Sequence, residues 1–115
     1  METNPALVFL EQIVSEQLLS NLIQQINKDA RLSGIEAKFE TTLSPKQLAI
    51  QLSELLYQLI SSDFGSYLNF LYRIDIPEKT LRSIQETAPK LIVKQVTVLV
   101  LKREWQKVTF KNKSQ

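Results

Sequence analysis

Residues 48–74 read LAIQLSELLYQLISSDFGSYLNFLYRI and decide the fold, because they hold the densest apolar pattern of the chain. In the first half, apolar side chains recur at spacings of three and four residues, which places them on one face of a helix. Just ahead, Ser44 suits an N-cap, Pro45 suits the first helical position, and Gln47 can close a capping box. We therefore predict a helix over residues 45–62.

The second half of this segment predicts a short helix, residues 64–73, that is rich in aromatic side chains. Phe64, Leu68 and Leu71 share one stripe of that helix. Such a stripe favours packing in the core, where each aromatic side chain can bury roughly 150–250 Å². The alternative is a stripe that lines a ligand pocket, but no cluster of polar residues accompanies the rings.

The N-terminal segment predicts one long helix, residues 5–32. Asn4 and Pro5 supply the start, and Gly34 supplies the end because glycine adopts the left-handed conformation without strain. The apolar face turns by roughly 120° around residues 15–17, at about 100° per residue. Either the helix bends there, or its first turns contact something different from its last. Two arrangements fit this pattern. Residues 7–14 contact a second copy of the chain, or the whole helix packs around the core of one copy.

The remaining segments predict a connector and two more helices. The connector, residues 34–43, alternates apolar and polar side chains and is expected to be extended, with Ile35 and Phe39 in the core. A short helix, residues 77–85, should begin after a cap at Asp75. The segment after Pro89 is rich in β-branched residues, which favour a strand, but its length and its helical stripes favour a helix over residues 88–108.

These patterns predict an all-α protein: a compact bundle of about five helices with a long N-terminal and a long C-terminal helix. A length of 115 residues indicates a single domain, residues 1–115, with frayed ends at 1–4 and 110–115. The predicted core consists of Leu22, Ile26, Leu52, Leu55, Leu56, Leu59, Phe64, Leu68, Leu71, Leu81, Ile92, Val96 and Leu99.

The sequence contains neither histidine nor cysteine. Their absence removes the commonest general base, the usual zinc ligands and all thiol chemistry. The chain has only two glycines, far apart, so no phosphate-binding loop can be written. We predict no catalytic residue, cofactor or metal, and we expect a protein that is not an enzyme. The sequence also shows no signal-peptide pattern and no membrane-spanning run, which predicts a cytoplasmic protein.

The charge distribution and the apolar faces indicate a binding partner. Residues 1–63 carry eight acidic and four basic side chains, whereas residues 64–115 carry four acidic and ten basic ones. This asymmetry favours an interaction module, with self-association as a homodimer as the first hypothesis and another protein as a further possible partner. The residues predicted for self-association are Leu7, Leu10, Val14, Leu101, Trp105 and Val108.

The basic C-terminal segment provides the alternative function. Basic side chains interleaved with Trp105 and Phe110 can bind phosphates and stack on bases, and an anionic membrane surface is a weaker variant of the same idea. Solvated lysines around a core tryptophan explain the same pattern and are favoured. The residues predicted for nucleic-acid binding are Lys102, Arg103, Lys107, Lys111 and Lys113.

Two short stretches carry a resemblance. LYRIDIPE at residues 71–78 and LKREWQKV at residues 101–108 resemble a pattern in small bacterial proteins of about this length that have no assigned activity. The resemblance implies a bacterial, cytoplasmic origin, and it implies no substrate or cofactor.

Overall fold

The computed structural model describes residues 4–13 and 15–113, with side chains described as far as residue 111. The protein is all-α, as predicted: it is 76% helical, and no strand occurs in these ranges. The helices in chain order are α1 (Pro5–Glu11), α2 (Glu16–Leu32), α3 (Pro45–Ser62), α4 (Phe64–Ile74), α5 (Glu78–Arg82) and α6 (Pro89–Lys113).

Helix α6 is the centre of the bundle. It packs against α1, α2, α3 and α4, within a molecule that measures 39 × 36 × 26 Å. Val96, Val100 and Leu101 are fully buried along its length. Four neighbouring helices therefore account for the wide apolar face that the sequence shows in this segment. The choice of helix over strand is confirmed, although α6 extends to Lys113, beyond the predicted end at residue 108.

Helix α3 has the predicted bounds, because both its ends are specified locally. The amide of Gln47 donates to Ser44 Oγ (3.2 Å), and the amide of Ser44 donates to Gln47 Oε1 (2.9 Å), which completes the capping box. At the other end Asp63 closes α3 and also caps α4, since its carboxylate accepts from the amide of Ser66. Two helices are thus joined with one residue between them.

The prediction of one helix over residues 5–32 is wrong, because the chain forms two helices there, one that ends at Glu11 and one that begins at Glu16. Ser15 is extended, and its hydroxyl accepts from the amide of Leu18 (3.4 Å), so it starts α2 as an N-cap. Helix α1 packs on α3 and α6, whereas α2 packs on α4 and α6. The turn of the apolar face around residues 15–17 therefore marks a change of direction within one core.

Two helix ends use the left-handed backbone conformation. Gly34 has φ 81°, and the amide of Ile35 donates to the carbonyl of Ala30 (2.9 Å), which ends α2 as predicted. Asp75 has φ 74° and ends α4 in the same way. The prediction that Asp75 caps the next helix is wrong, since α5 begins after Pro77 without a side-chain cap.

The connector between α2 and α3 is anchored by one side chain. Asn27 Nδ2 donates to the carbonyl of Phe39, and the amide of Phe39 donates to Asn27 Oδ1, each at 2.8 Å. Ile35 and Phe39 are buried, as predicted. The side-chain amide thus supplies the two hydrogen bonds that a neighbouring strand would otherwise make.

The core differs from the prediction mainly at α4. The buried face of this helix carries Tyr67, Phe70, Leu71 and Ile74, whereas Phe64 is 53% exposed. The prediction of Phe64 as a core residue is therefore wrong. Of the other predicted core residues, those fully inside are Leu22, Ile26, Leu52, Leu56, Leu59, Leu71 and Val96, and those half-buried against them are Leu55, Leu68, Leu81, Ile92 and Leu99.

Candidate functional site

The outer face of α4 forms one wall of an apolar depression, which we call the aromatic groove. Phe64, Leu68 and Tyr72 lie one turn apart along this wall, and the rings of Phe64 and Tyr67 stack with centroids 5.5 Å apart. The groove has a volume of ≈ 280 Å³ and is lined by Ile60, Phe64, Tyr67, Leu68, Tyr72, Glu78, Leu81, Arg82, Ile84, Glu86 and Ile92.

The aromatic groove exposes large apolar side chains beside charges of both signs. Phe64 and Tyr72 leave 53% and 55% of their surface accessible. On the rim, Arg82 Nη2 lies 2.7 Å from Glu78 Oε1 in an exposed ion pair. An exposed apolar patch with a polar rim is typical of an interaction surface.

The apolar surface continues past Tyr72 to the end of α2. A second shallow depression is lined by Leu32, Ser33, Asn69, Tyr72 and Arg73, and Leu32 is 48% exposed. Because Tyr72 lines both depressions, the two adjoin at this ring, and the strip that they form carries the polar side chains of Ser33, Asn69 and Arg73 as well as Leu32.

A larger depression, ≈ 470 Å³, lies between α1, α3 and the start of α6, but its chemistry points less clearly to a partner. Its floor is made of small buried side chains, Ala6 and Ala49. Two polar groups in its lining already serve the fold: Asn4 Oδ1 caps α1, and the hydroxyl of Thr97 donates to the carbonyl of Val93 (2.7 Å). We therefore take the aromatic groove as the stronger candidate.

Charged side chains meet inside the bundle, between α2 and the second half of α6, in what we call the buried charge cluster. Lys107 Nζ lies 2.9 Å from Asp29 Oδ2 and 3.3 Å from Glu104 Oε1. Glu104 has no exposed surface and Asp29 is 3% exposed. Around this centre, Gln25 Nε2 donates to Asp29 Oδ2 (3.2 Å), and Lys111 Nζ donates to Gln25 Oε1 (2.6 Å).

The two carboxyl groups of the cluster are not equivalent. Burial raises the pKa of Glu104, the hydrogen bond and the negative charge of Asp29 raise it too, and Lys107 opposes them; together these effects bring the pKa to about 9. Burial alone would also raise the pKa of Asp29, but hydrogen bonds from Glu104, Lys107 and Gln25 hold it below its ordinary value. The two shifts run in opposite directions, so Glu104 holds a proton more tightly than an exposed glutamic acid does, and Asp29 holds one less tightly than an exposed aspartic acid does.

A strongly shifted acid beside a carboxylate is an arrangement that active sites use. The side chain of Glu104 has no exposed surface, however, so a substrate cannot touch it unless the fold opens. The cluster can store a proton and hold α6 against α2. Substrate chemistry at this position requires an access path that the folded bundle does not provide.

The residues predicted for self-association do not form one exposed patch. Leu10, Leu101 and Val108 are buried by their own chain. Leu7 and Trp105 are half-buried and pack against the core, and Val14 lies outside the described residues. Two of the exposed large apolar side chains, Phe64 and Tyr72, lie instead on α4, and Phe64 was predicted as a core residue.

The residues predicted for nucleic-acid binding are partly engaged within the fold. Lys107 belongs to the buried charge cluster, and Lys111 donates to Gln25. Arg103 Nη2 lies 3.3 Å from Asp75 Oδ2. Lys102 is exposed, and the side chain of Lys113 lies outside the described part of the chain. These contacts reduce the positive charge that the segment can present to a phosphate backbone.

Sequence reasoning missed the buried charge cluster, because its members are far apart along the chain. Lys107 and Asp29 are 78 positions apart. One signal was present: Glu104 follows Leu101 by three residues and precedes Val108 by four, so it lies within a stripe of apolar side chains on α6. An acid in that position predicts either burial with a partner or a break in the stripe.

Comparison with known proteins returns no match: no protein family, curated protein or solved structure matches this chain. This result is consistent with the resemblance described above, which implied no known function. Within the described residues, no helix is both long and apolar enough to cross a membrane. The same residues contain no group of three or more acidic, histidine or cysteine side chains placed to hold a metal ion.

Proposed function

We propose that this chain is a non-enzymatic protein-interaction module that self-associates as a homodimer through the aromatic groove. The observation that carries the proposal is the pair of large rings, Phe64 and Tyr72, each more than half exposed on one wall of a groove that aliphatic side chains and a charged rim complete. A cytoplasmic location and a bacterial origin are part of the proposal. The absence of cysteine supports the first, and the resemblance of residues 71–78 and 101–108 supports the second.

A second copy of the chain suits this surface because the surface is self-complementary. A two-fold interface brings the same patch of both copies together, so the patch must supply both the groups that protrude and the space that receives them. The rings of Phe64 and Tyr72 protrude, and the groove beside them has room for a side chain. The rim carries Glu78 and Glu86 together with Arg82, so that opposite charges can face each other across the axis.

The size of the patch sets the expected strength. A fully buried aromatic side chain contributes roughly 150–250 Å², so the two half-exposed rings offer on the order of 200 Å² per copy. A stable interface buries about 800 Å² per partner. The neighbouring strip with Leu32 adds to the contact, but we expect a dimer in the micromolar range rather than an obligate one.

Sedimentation velocity over a range of protein concentrations tests this proposal. We expect a dimer to form at tens of micromolar, and the double variant Phe64→Ser/Tyr72→Ser to remain a monomer there. A matched control is Val8→Ser/Ile50→Ser, which removes two exposed apolar side chains outside the groove (43% and 42% exposed) and should still dimerise. A wild-type chain that is monomeric at these concentrations overturns the proposal.

Nucleic-acid binding by the C-terminal segment is the rival function. Titrating Trp105 fluorescence with single- and double-stranded nucleic acid at two salt concentrations separates the two. Affinity that falls steeply with salt supports the rival, and an unchanged signal at low salt eliminates it.

A further inference from the structure

We propose that Glu104 is folded as a neutral carboxylic acid whose proton is shared with Asp29, and that loss of this proton loosens the packing of the C-terminal half of α6 on α2. The proposal does not depend on the dimer. The buried charge cluster would then hold α6 against α2 only while Glu104 keeps its proton.

The first support is the hydrogen bonding of Glu104. No donor group among the described residues reaches either carboxyl oxygen of Glu104 in hydrogen-bond geometry, although the side chain has no exposed surface. The 3.3 Å approach of Lys107 Nζ is a charge contact without hydrogen-bond geometry. A buried polar group without a partner is costly. A proton on Glu104 would convert one oxygen into a donor, and the carboxylate of Asp29, which contacts the same Lys107 Nζ, would be the acceptor.

The second support is the count of charges around the site. From α2, Asp29 faces Glu104; from α6 itself, Lys107 is the cation that contacts both carboxyl groups. From α4, Arg73 Nε reaches no closer than 4.0 Å to Asp29 and is half exposed. One buried ammonium balances one carboxylate, so ionised Glu104 would be a second buried charge without its own partner.

Other titratable groups on the helices that pack against α6 do not account for a pH dependence in the range assigned to Glu104. Helices α1 and α3 also pack on α6, but their titratable side chains are exposed to solvent: Glu11, Lys46, Glu54 and Tyr57. On α4, burial raises the pKa of Tyr67 above its model-compound value of 10.0, so this phenol titrates above the range that concerns Glu104.

The direction of the pH effect follows from proton binding. Above the ordinary glutamic-acid pKa of 4.5, the unfolded chain has released the proton, whereas the folded chain keeps it up to about pH 9. Folding therefore takes up a proton in this range, and raising the pH favours the unfolded state. We expect the unfolding equilibrium constant to rise by up to about tenfold for each pH unit between these limits.

The experiment compares the wild-type chain with Glu104→Gln, whose amide can still donate to Asp29 but cannot ionise. Urea unfolding at pH 5, 7 and 9 should show a pH-dependent midpoint in the wild type and a much weaker dependence in the variant. Trp105, the single tryptophan of the chain, adjoins Glu104, so its emission should shift to the red at high pH only in the wild type. The control Glu54→Gln changes an exposed carboxylate on α3 and should behave as the wild type.

A second measurement covers the case in which Glu104→Gln does not fold. The side-chain carboxyl carbon of Glu104 in the folded wild-type chain, followed by NMR from pH 4 to pH 10, should titrate far above the other glutamates. A midpoint in the ordinary range, or parallel pH profiles for the wild type and Glu104→Gln, would overturn the proposal.

Discussion

The aromatic groove and the buried charge cluster depart from the usual distribution of side chains in opposite directions. In the groove, Phe64 and Tyr72 expose more than half of their surface, whereas in the cluster Glu104 exposes none. Exposed rings add little to the free energy of unfolding of one copy, and they contribute to the free energy of binding when a partner covers them. Buried charges belong to one copy and make its stability depend on protonation. Substitutions in the two regions should therefore change different measurements.

The largest expected effect is a fall in the free energy of unfolding when a member of the buried charge cluster is replaced. Lys107→Met removes the cation that contacts both carboxyl groups, and leaving a buried carboxylate without its partner costs about 3–5 kcal/mol. Urea unfolding at pH 7 measures the loss. Lys102→Met, an exposed position on the same helix, is the control and should change the free energy of unfolding by less than about 0.5 kcal/mol. Equal losses in the free energy of unfolding at the two positions would show that the buried charge cluster does not stabilise the fold more than an exposed lysine does.

The second effect is the pH dependence of the same quantity. The raised pKa of Glu104 lowers the free energy of unfolding as the pH rises from 4.5 towards 9, by up to about 1.4 kcal/mol per pH unit. The lowered pKa of Asp29 acts in the other direction, because its stabilising contribution is lost as the pH falls below 3.8. We expect a stability maximum near pH 5 in thermal or urea unfolding, and a maximum at pH 8 would contradict this.

The third effect separates association from stability within the groove. Tyr72→Ser should raise the dimer dissociation constant at least about tenfold, as expected when an aromatic anchor is lost from an interface. Because the ring is more than half exposed in one copy, the free energy of unfolding should fall by less than about 1 kcal/mol. Sedimentation gives the first value and urea unfolding of dilute protein gives the second. A large loss of stability with unchanged association would mean that Tyr72 belongs to the core.

The smallest effect concerns the rim of the groove. The ion pair between Arg82 and Glu78 is exposed on both sides, with 77% and 59% of the side-chain surface accessible. Arg82→Gln should therefore change the free energy of unfolding by at most about 0.5 kcal/mol. Its effect on the dimer should be modest and should disappear at high salt. A strong, salt-independent weakening of the dimer would place Arg82 at the centre of the interface rather than at its rim.

The sequence predicts best where a structural signal is local. The capping box at Ser44 and Gln47 specifies the start of α3, and Gly34 specifies the end of α2, so both boundaries agree with the structure. The break before α2 was only indicated, because the turn of the apolar face locates a change of direction but does not show whether a helix bends or ends. Ser15 provides the answer through its hydrogen bond to the amide of Leu18.

The sequence predicts least where the answer depends on distant segments. Helix α4 has a polar side with Ser66, Asn69 and Arg73, but its apolar side is about half of the circumference, so periodicity alone cannot decide which part of that side turns inward. The packing of α4 on α2, α3 and α6 decides it and leaves Phe64 outside. For the same reason the predicted self-association residues on α6 lie within the bundle. The buried charge cluster forms where α2 packs on α6, and no pattern within either segment predicts which side chains come into contact there.

The anchoring of Phe39 by Asn27 has a consequence for how the chain tolerates changes in length. Because one amide fixes the middle of the segment between α2 and α3, that segment behaves as two short loops, and each is closed independently. Extra residues placed at 40–42, where the side chains are exposed, should be accommodated at the small entropic cost of a longer loop. The same insertion at residues 36–38 would have to displace Ile35 or Phe39 from the core. Residues 40–42 are therefore a suitable position for inserting a tag or a reporter domain without disturbing the bundle.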